Sequence, residues 1–355
     1  MNVSLALSLL LLSLPVLAAE PAAPPSVDLA VLQQQVVGKG CAQRLLGSTK
    51  HPFVEAQVAC DAFLTFVLVQ ASLEGRAPTD IRERLDALLT DALGRARGPF
   101  QKGGSTQVAG HTLPRSVLYR GFLLLMLAGR ERAGLATPES TGLFDALSQQ
   151  LVEAFSKQPL LPSFGSTIWP CDNALAASGL LLHGRLRGNE ASRAAGERLI
   201  AHLLRLAETP TGFPTQVDAK GRITEKTPRG SALAWTAGFL GMSGHPAART
   251  FAEVLVRDFC DHPSELALGV AACREWPRGV NRGADASSGP IIQGYGQGAT
   301  ALALAATRAS EELRSWHKDL RLLAALAGID SYLSRPAQYP LETALYLWAT
   351  GLEPW

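Results

Sequence analysis

The sequence predicts an all-α protein, an (α/α)6 toroid of six helical hairpins, and three observations carry that expectation. Strong β runs are almost absent, while Ala- and Leu-rich segments with charges at helical spacing recur from end to end. These segments alternate between two kinds, amphipathic and apolar all round, which belong outside and inside a helical assembly respectively. The apolar ones begin near residues 55, 114, 171, 230, 290 and 340, at intervals of 50 to 60 residues. A period of that size is the signature of a repeated helical hairpin.

Along the chain, Met1–Ala18 is uncharged and apolar from Val3 to Leu17, with Val16 and Ala18 as the small residues of a cleavage site. It reads as a signal peptide, so the protein is expected to be exported, periplasmic or extracellular, with no stable membrane span after cleavage. Ala19–Ser26 (AEPAAPPS) reads as a disordered Pro/Ala spacer. Residues 27–355 are then a single toroid domain. The expected inner helices are Phe53–Gln70, Arg115–Gly129, Asp172–Leu186, Ser231–Gly244, Pro290–Thr307 and Leu341–Gly351. The outer ones are Asp80–Gly94, Thr141–Ser156, Ala191–Ala207, Ala248–Cys260 and Glu311–Leu326, and a leading helix, Val27–Leu46, pairs with the last inner one to make twelve. Asp61, Arg120 and several glycines inside the inner set argue against a membrane bundle.

Loops leading into inner helices are long: Gly98–Pro114, Lys157–Cys171, Glu208–Gly230 and Glu275–Gly289. Those leading out, such as Arg187–Glu190, are short. In an alternating ring all the long loops share one face, where a site is expected. One of them, Thr211–Thr227, alternates around Ala219-Lys220-Gly221 and reads as a small β-hairpin flap, with Phe213 either covering a pocket or lying in a plain surface hairpin.

Composition narrows the function. Of 355 residues 47% are hydrophobic and 18% charged, which excludes a disordered chain. A formal charge of +2 gives no field for phosphate backbones or anionic membranes, so no nucleic acid is expected as a partner; a small molecule is. No CxxC motif and no histidine pair at helical spacing occurs, so neither metal nor other cofactor is expected. Of the five cysteines, Cys41 with Cys60 and Cys260 with Cys273 are the suspected disulfides and Cys171 the odd thiol; five buried free thiols is the other reading.

The richest segment is Ile168–Asn173 (IWPCDN), at a helix start. Asp172 there is either a helix cap or an acid/base group. Cys171 is read as its catalytic partner, with His111 the one histidine in a suitable loop, and Trp169 and Asn173 as lining residues. Asp61 lies within an apolar helix, where burial raises a carboxyl pKa; the alternative is an ion pair with Arg120. Tyr119, Arg120, Gln293 and Tyr295 complete the expected substrate-binding set with Phe213. Glu275 and Asp285, with Arg274, Arg278 and Arg282, read as solvated loop charge.

Taken in order, the stretches around Asp61, Tyr119-Arg120-Gly121, Pro170–Asn173, Gly212-Phe213 through Lys220-Gly221 into Ala234–Gly238, and Ser288–Arg308 resemble the linalool dehydratase/isomerase family. That resemblance implies an (α/α)6 barrel in which Asp61 matches an acid/base carboxylate and Asp172-Asn173 the segment bearing catalytic thiols. Phe122 stands where the family has a catalytic His, and Trp169 and Ser178 where its thiols fall. The main expectation is a lyase- or isomerase-like enzyme acting on a small hydroxylated substrate in a central pocket, with Asp61, Asp172 and Cys171 doing the chemistry. The alternatives are a carbohydrate hydrolase or lyase, with Trp169, Trp235 and Trp276 as stacking platforms, and a non-catalytic binding or scaffold protein.

Overall fold

A computed structural model describes residues 27–41, 55–262, 271–285, 288–308, 310–351 and 353–355. The expected signal peptide (1–18), the spacer (19–26), residues 42–46 of the leading helix and the first two residues of the first inner helix lie outside the described residues.

The leading segment is α-helical over Leu29–Gln33 (α1), where the Asp28 carboxylate caps two backbone N–H groups, and continues as a π-helix over Gln34–Lys39. It lies chiefly against α2 (Ala56–Leu73) and α3 (Ile81–Leu93), not the last inner helix. Four further pairs follow: α4 (Val117–Arg132) with α5 (Pro138–Lys157), α6 (Asn173–Arg187) with α7 (Glu190–Ala207), α8 (Gly230–Met242) with α9 (Ala247–Phe259), and α10 (Gln297–Arg308) with α11 (Arg314–Leu326). A short α12 (Ile329–Leu333) leads to the last inner helix, α13 (Pro340–Gly351). Local chemistry sets these boundaries: Thr137 and Ser140 form a capping box beside Pro138, Asn189 caps α7, and Gly188 ends α6 in the left-handed conformation.

The inner helices α2, α4, α6, α8, α10 and α13 pack each against the next, and α13 returns against α2, which closes the ring. This is the (α/α)6 toroid. Close approach is needed between α4 and α6, where a Cβ on Gly121 would sit 2.6 Å from the Leu175 Cβ.

The expected central pocket is not open through the ring. Phe63 and Phe66 from α2, Phe122 from α4, Trp235 and Phe239 from α8 and Trp348 from α13 meet across the axis, with centroid separations such as 4.8 Å for Phe63–Trp348 and 5.9 Å for Phe63–Phe122. Trp355 lies over Phe66 at the far end and is held by its N–H to the Met242 carbonyl at 2.8 Å. Apolar inner helices with large aromatics must fill the bore, because an empty one would forfeit their packing energy.

Four two-stranded antiparallel hairpins decorate the loops: β1–β2 (Ser105–Val108, His111–Pro114), β3–β4 (Gln216–Val217, Ile223–Glu225), β5–β6 (Cys260–Asp261, Ala272–Cys273) and β7–β8 (Ile291–Ile292, Tyr295–Gly296). The second is the expected flap. The last corrects the expected inner helix Pro290–Thr307, which starts only at Gln297. Gln293 (φ 52°) and Gly294 (φ 90°) form a left-handed two-residue turn, a hairpin geometry that no helix accepts. Both suspected disulfides are present, Cys41–Cys60 and Cys260–Cys273, and Cys171 is a free, buried thiol.

Candidate functional site

The loops entering α4, α6, α8 and α10 gather on one face and are cross-linked there. Val217 of the flap pairs with Ile168, Gly230 N–H donates to the Glu275 carbonyl at 2.9 Å, and Arg274 bridges to Tyr295. Gly230 permits this crossing, since a Cβ would meet the Arg274 carbonyl oxygen at 2.1 Å.

Arg229, 2% exposed, is the hub. Its Nε donates to Glu275 at 2.5 Å, and its terminal nitrogens grip Asp285 at 2.8 and 3.0 Å. Two indoles flank it, with the guanidinium 5.1 Å from the Trp276 centroid and 5.7 Å from that of Trp169. Ser231 donates to the same Glu275 oxygen at 2.8 Å, while Glu275 Oε2 is buried without a hydrogen-bond partner. Burial raises the Glu275 pKa against the pull of Arg229 and Ser231, and the two carboxylates beside Arg229 hold its own pKa up.

Asp172 enters this cluster from the 3-10 turn Pro170–Asp172 at the start of α6. Its side chain makes no capping hydrogen bond, so the cap alternative fails. Burial raises its pKa to about 6, with Ser163, Cys171 and Arg229 opposing the rise. Glu55, just before α2, is raised to about 7, mainly by burial and further by the charges of Asp172 and Asp285. Two carboxylic acids with separated pKa values thus share one neighbourhood at the mouth of the ring, as proton-transfer chemistry near neutrality requires. Trp235 forms the floor: alone among the central rings it keeps part of its surface exposed, while Phe63, Phe122, Phe239 and Trp348 are at most 3% exposed.

The other expected site residues are placed as follows. Cys171 touches Asp172 (Sγ to Oδ1, 3.8 Å), and burial beside that carboxylate pushes its thiol well above the usual range, so it is neither a thiolate nor a nucleophile near neutral pH. His111 is exposed on β2. Asn173 spends its amide on the preceding loop, accepting from Leu161 N–H at 2.8 Å and donating to the Leu161 and Trp169 carbonyls. Asp61 is 0% exposed and bonded to Gln57, which also holds Asp91 at 2.6 Å; it lies in the wall toward α3, on the side of α2 away from Phe63 and Phe66. Six residues beyond Glu55, it is about 9 Å further along the helix axis.

Tyr119, 0% exposed, donates to the Ala92 carbonyl at 2.7 Å, within the same wall. Arg120 is not the partner of Asp61: it donates to the Arg115 carbonyl at 2.6 Å, and burial lowers its pKa to about 10. Phe213 is 1% exposed and packs edge-on against Phe251 at 5.3 Å, anchoring the flap to α9 and covering no pocket. Tyr295 donates to Asp261 and stacks under Arg274 at 4.5 Å, next to the Cys260–Cys273 disulfide, and Gln293 sits at the β7–β8 tip. The structure therefore joins Asp172, Cys171 and Trp169 and sets Asp61, Tyr119 and Arg120 apart from them. Sequence reasoning missed Glu55 and Arg229 and read Glu275, which is 0% exposed, as solvated; that reading holds for Asp285, Arg278 and Arg282, which keep much of their side chains in solvent. The available signal was the pair of indoles, Trp169 and Trp276, in two loops of one face.

Among the described residues no group of His, Cys, Asp and Glu is arranged to hold a metal ion. One helix, Ala56–Leu73, is long and apolar enough to cross a membrane, and it is a buried wall of the ring.

No family model and no curated protein matches the sequence. Solved structures match the fold. An inactive variant of the α-1,6-mannanase of Salegentibacter sp. HEL1_6, in complex with α-1,6-mannotriose, aligns at TM-score 0.56 and 12% identity over 91% of this chain and 98% of that one. The β-1,3-1,4-glucanase of Paenibacillus sp. X4 aligns at 0.54 and 10% identity over 95% and 96%. The unsaturated glucuronyl hydrolase of Bacillus sp. GL1 aligns at 0.52 and 11% identity over 91% and 93%. These likenesses establish the (α/α)6 toroid shared with glycosidases, and do not extend to the linalool dehydratase/isomerase family in particular.

Proposed function

We propose that this protein is a carbohydrate-active enzyme that cleaves a glycosidic bond on the loop face, with Glu55 as the proton donor and Asp172 as the second carboxylate. The observation that carries this reading is the pair itself. Burial lifts both carboxyls toward neutrality, Glu55 to about 7 and Asp172 to about 6, and the charge of Asp172 raises Glu55 further, which makes Glu55 the better proton donor and Asp172 the better base. The Glu55 carboxyl gives its proton to the leaving oxygen, and the Asp172 carboxylate either attacks the anomeric carbon or deprotonates a water that does so. Trp169 and Trp235, each partly exposed, offer apolar faces to the sugar. The glycosidase structures sharing the fold support the substrate class, and two disulfides fit the expected export.

The lyase- or isomerase-like reading rests on Asp61 paired with Asp172, and Asp61 faces the wall. A binding protein without turnover is the second reading, favoured by the filled bore. The test is product release from a panel of α- and β-linked oligosaccharides. Asp172→Asn and Glu55→Gln should each lower turnover by about 10²-fold or more while leaving the melting temperature near that of the wild type. A wild type inert across the panel yet binding a member of it would establish the second reading, and undiminished turnover in Asp172→Asn would remove the first.

A further inference from the structure

Resting on that reading of the loop face as a sugar site, we infer that the site selects an uncharged oligosaccharide, one ring of which stacks on the Trp235 indole. Three features of the structure lead there.

The buried cation of the site is already committed. Arg229 is held by Glu275 through Nε and by Asp285 through both terminal nitrogens, and two indoles lie against its guanidinium. A substrate carboxylate would have to displace Glu275, which is 0% exposed and would be stranded, or compete with the two-point grip of Asp285. The arginines nearby are paired as well, nearer the surface: Arg274 and Arg278 to Asp261, and Arg282 to Glu225 while stacked on Trp276.

Acidic groups outnumber basic ones at the mouth. Glu275 and Asp285 already outbalance the one charge of Arg229, and Asp172 adds to the excess as it ionises. That excess repels uronic acids. A protonated amino sugar is the converse case: its ammonium would pair with Asp172 and hold Glu55 ionised, so it would bind without being cleaved.

The floor is apolar. Below Trp235 the bore is closed by Phe63, Phe239 and Trp348, with Trp235 and Phe239 centroids 4.7 Å apart, and the Trp235 N–H is buried without a hydrogen-bond partner. With the N–H buried, the part of the indole left exposed is carbon, suited to the C–H face of a pyranose and indifferent to charge. Hydroxyl groups of a neutral sugar then meet Asp172 and Glu55.

The experiment measures binding by the full-length mature protein, independent of turnover, using calorimetry and tryptophan fluorescence. The probes are length-matched neutral manno-, gluco- and xylo-oligosaccharides, oligouronates, and chitosan oligosaccharides, each with Asp172→Asn in parallel. We expect at least one neutral series to bind about tenfold tighter than the oligouronates, and chitosan oligosaccharides to bind without releasing product. Trp235→Phe, which keeps the aromatic packing, should weaken that binding about fivefold with little change in melting temperature. Asp285→Asn, which frees one side of Arg229, should raise oligouronate affinity. Oligouronates binding as tightly as any neutral series, product release from chitosan oligosaccharides, or neutral binding untouched by Trp235→Phe, would overturn the inference. So would the absence of all binding. Neutral binding without product release would leave it standing while removing the hydrolase reading.

Discussion

Arg229 and Glu275 are joined twice, by a buried 2.5 Å ion pair between their side chains and by the adjacent Gly230 N–H donating to the Glu275 carbonyl at 2.9 Å. One contact orients the charges and the other fixes the loops that carry them. Forty-six residues apart in sequence, the two make the loops before α8 and α10 a single unit.

Removing one member of this pair is expected to cost more than removing both. Arg229→Met strands Glu275 in a site where it is 0% exposed, and should destabilise the protein by about 3–5 kcal/mol in chemical denaturation. The double variant Arg229→Met/Glu275→Met should recover a good part of that loss. A double variant as unstable as the sum of the singles would show that the pair is not what holds the loops.

Glu55 and Asp172 should make the protein less stable as pH rises from 4 toward 7. Each carboxyl has its folded pKa raised, Glu55 from 4.5 to about 7 and Asp172 from 3.8 to about 6, so the native state holds protons that the unfolded chain releases. Their contribution is complete below the unfolded pKa values and is lost as pH climbs through the folded ones, on the order of 2–3 kcal/mol for each. His317 acts in the opposite sense: burial holds it down to about 4, so it costs stability as pH falls from 6.5. Glu55→Gln separates the two, because it should flatten the decline between pH 5 and 7 and leave the acid limb unchanged. A decline as steep in Glu55→Gln as in the wild type would refute the assignment.

Asn173→Ala should act on the site through the loop before it. The amide satisfies the buried Leu161 N–H and carbonyl and the part-buried Trp169 carbonyl, and their loss should destabilise the protein by about 2–4 kcal/mol. Sugar binding should weaken as well, because Trp169 loses its anchor. Equal affinity in Asn173→Ala, measured on folded protein, would mean that Trp169 does not touch the ligand.

Restoring a histidine at position 122 should not create dehydratase chemistry. Phe122 packs edge-on against Phe63, Trp235 and Phe239 at 5.8–5.9 Å, rings whose one polar atom is the Trp235 indole N–H and which offer no carboxylate to an imidazole. Phe122→His is expected to cost about 1–3 kcal/mol and yield no turnover of tertiary allylic alcohols. Turnover in this variant would revive the resemblance as a functional one.

The ring was legible because its inner helices are apolar all round and recur at a nearly constant interval, a pattern set by burial alone. Asp172 was legible because Pro170, Cys171 and Asn173 crowd it at a helix start. Asp61 misled for the same reason that the fold was clear, since a helix apolar on every side hides which side faces the axis. Gln57, one turn earlier and also polar, marks the wall. Glu55 and Arg229 stayed hidden because a lone charge in a loop looks solvated until its partners, 46 and 56 residues away for Arg229, are brought to it by the fold. The β7–β8 turn was missed because a left-handed Gln293 has no strong sequence signature outside its glycine neighbour.

The aromatic column from Trp235 down to Trp355 makes the ring a cup and not a sleeve. Whatever enters must leave by the same opening, so a polymer cannot be threaded through and advanced bond by bond. If the loop face cleaves glycosidic bonds as proposed, cut fragments and fresh substrate compete for one doorway, and the departure of the first sets a ceiling on how fast the second is used.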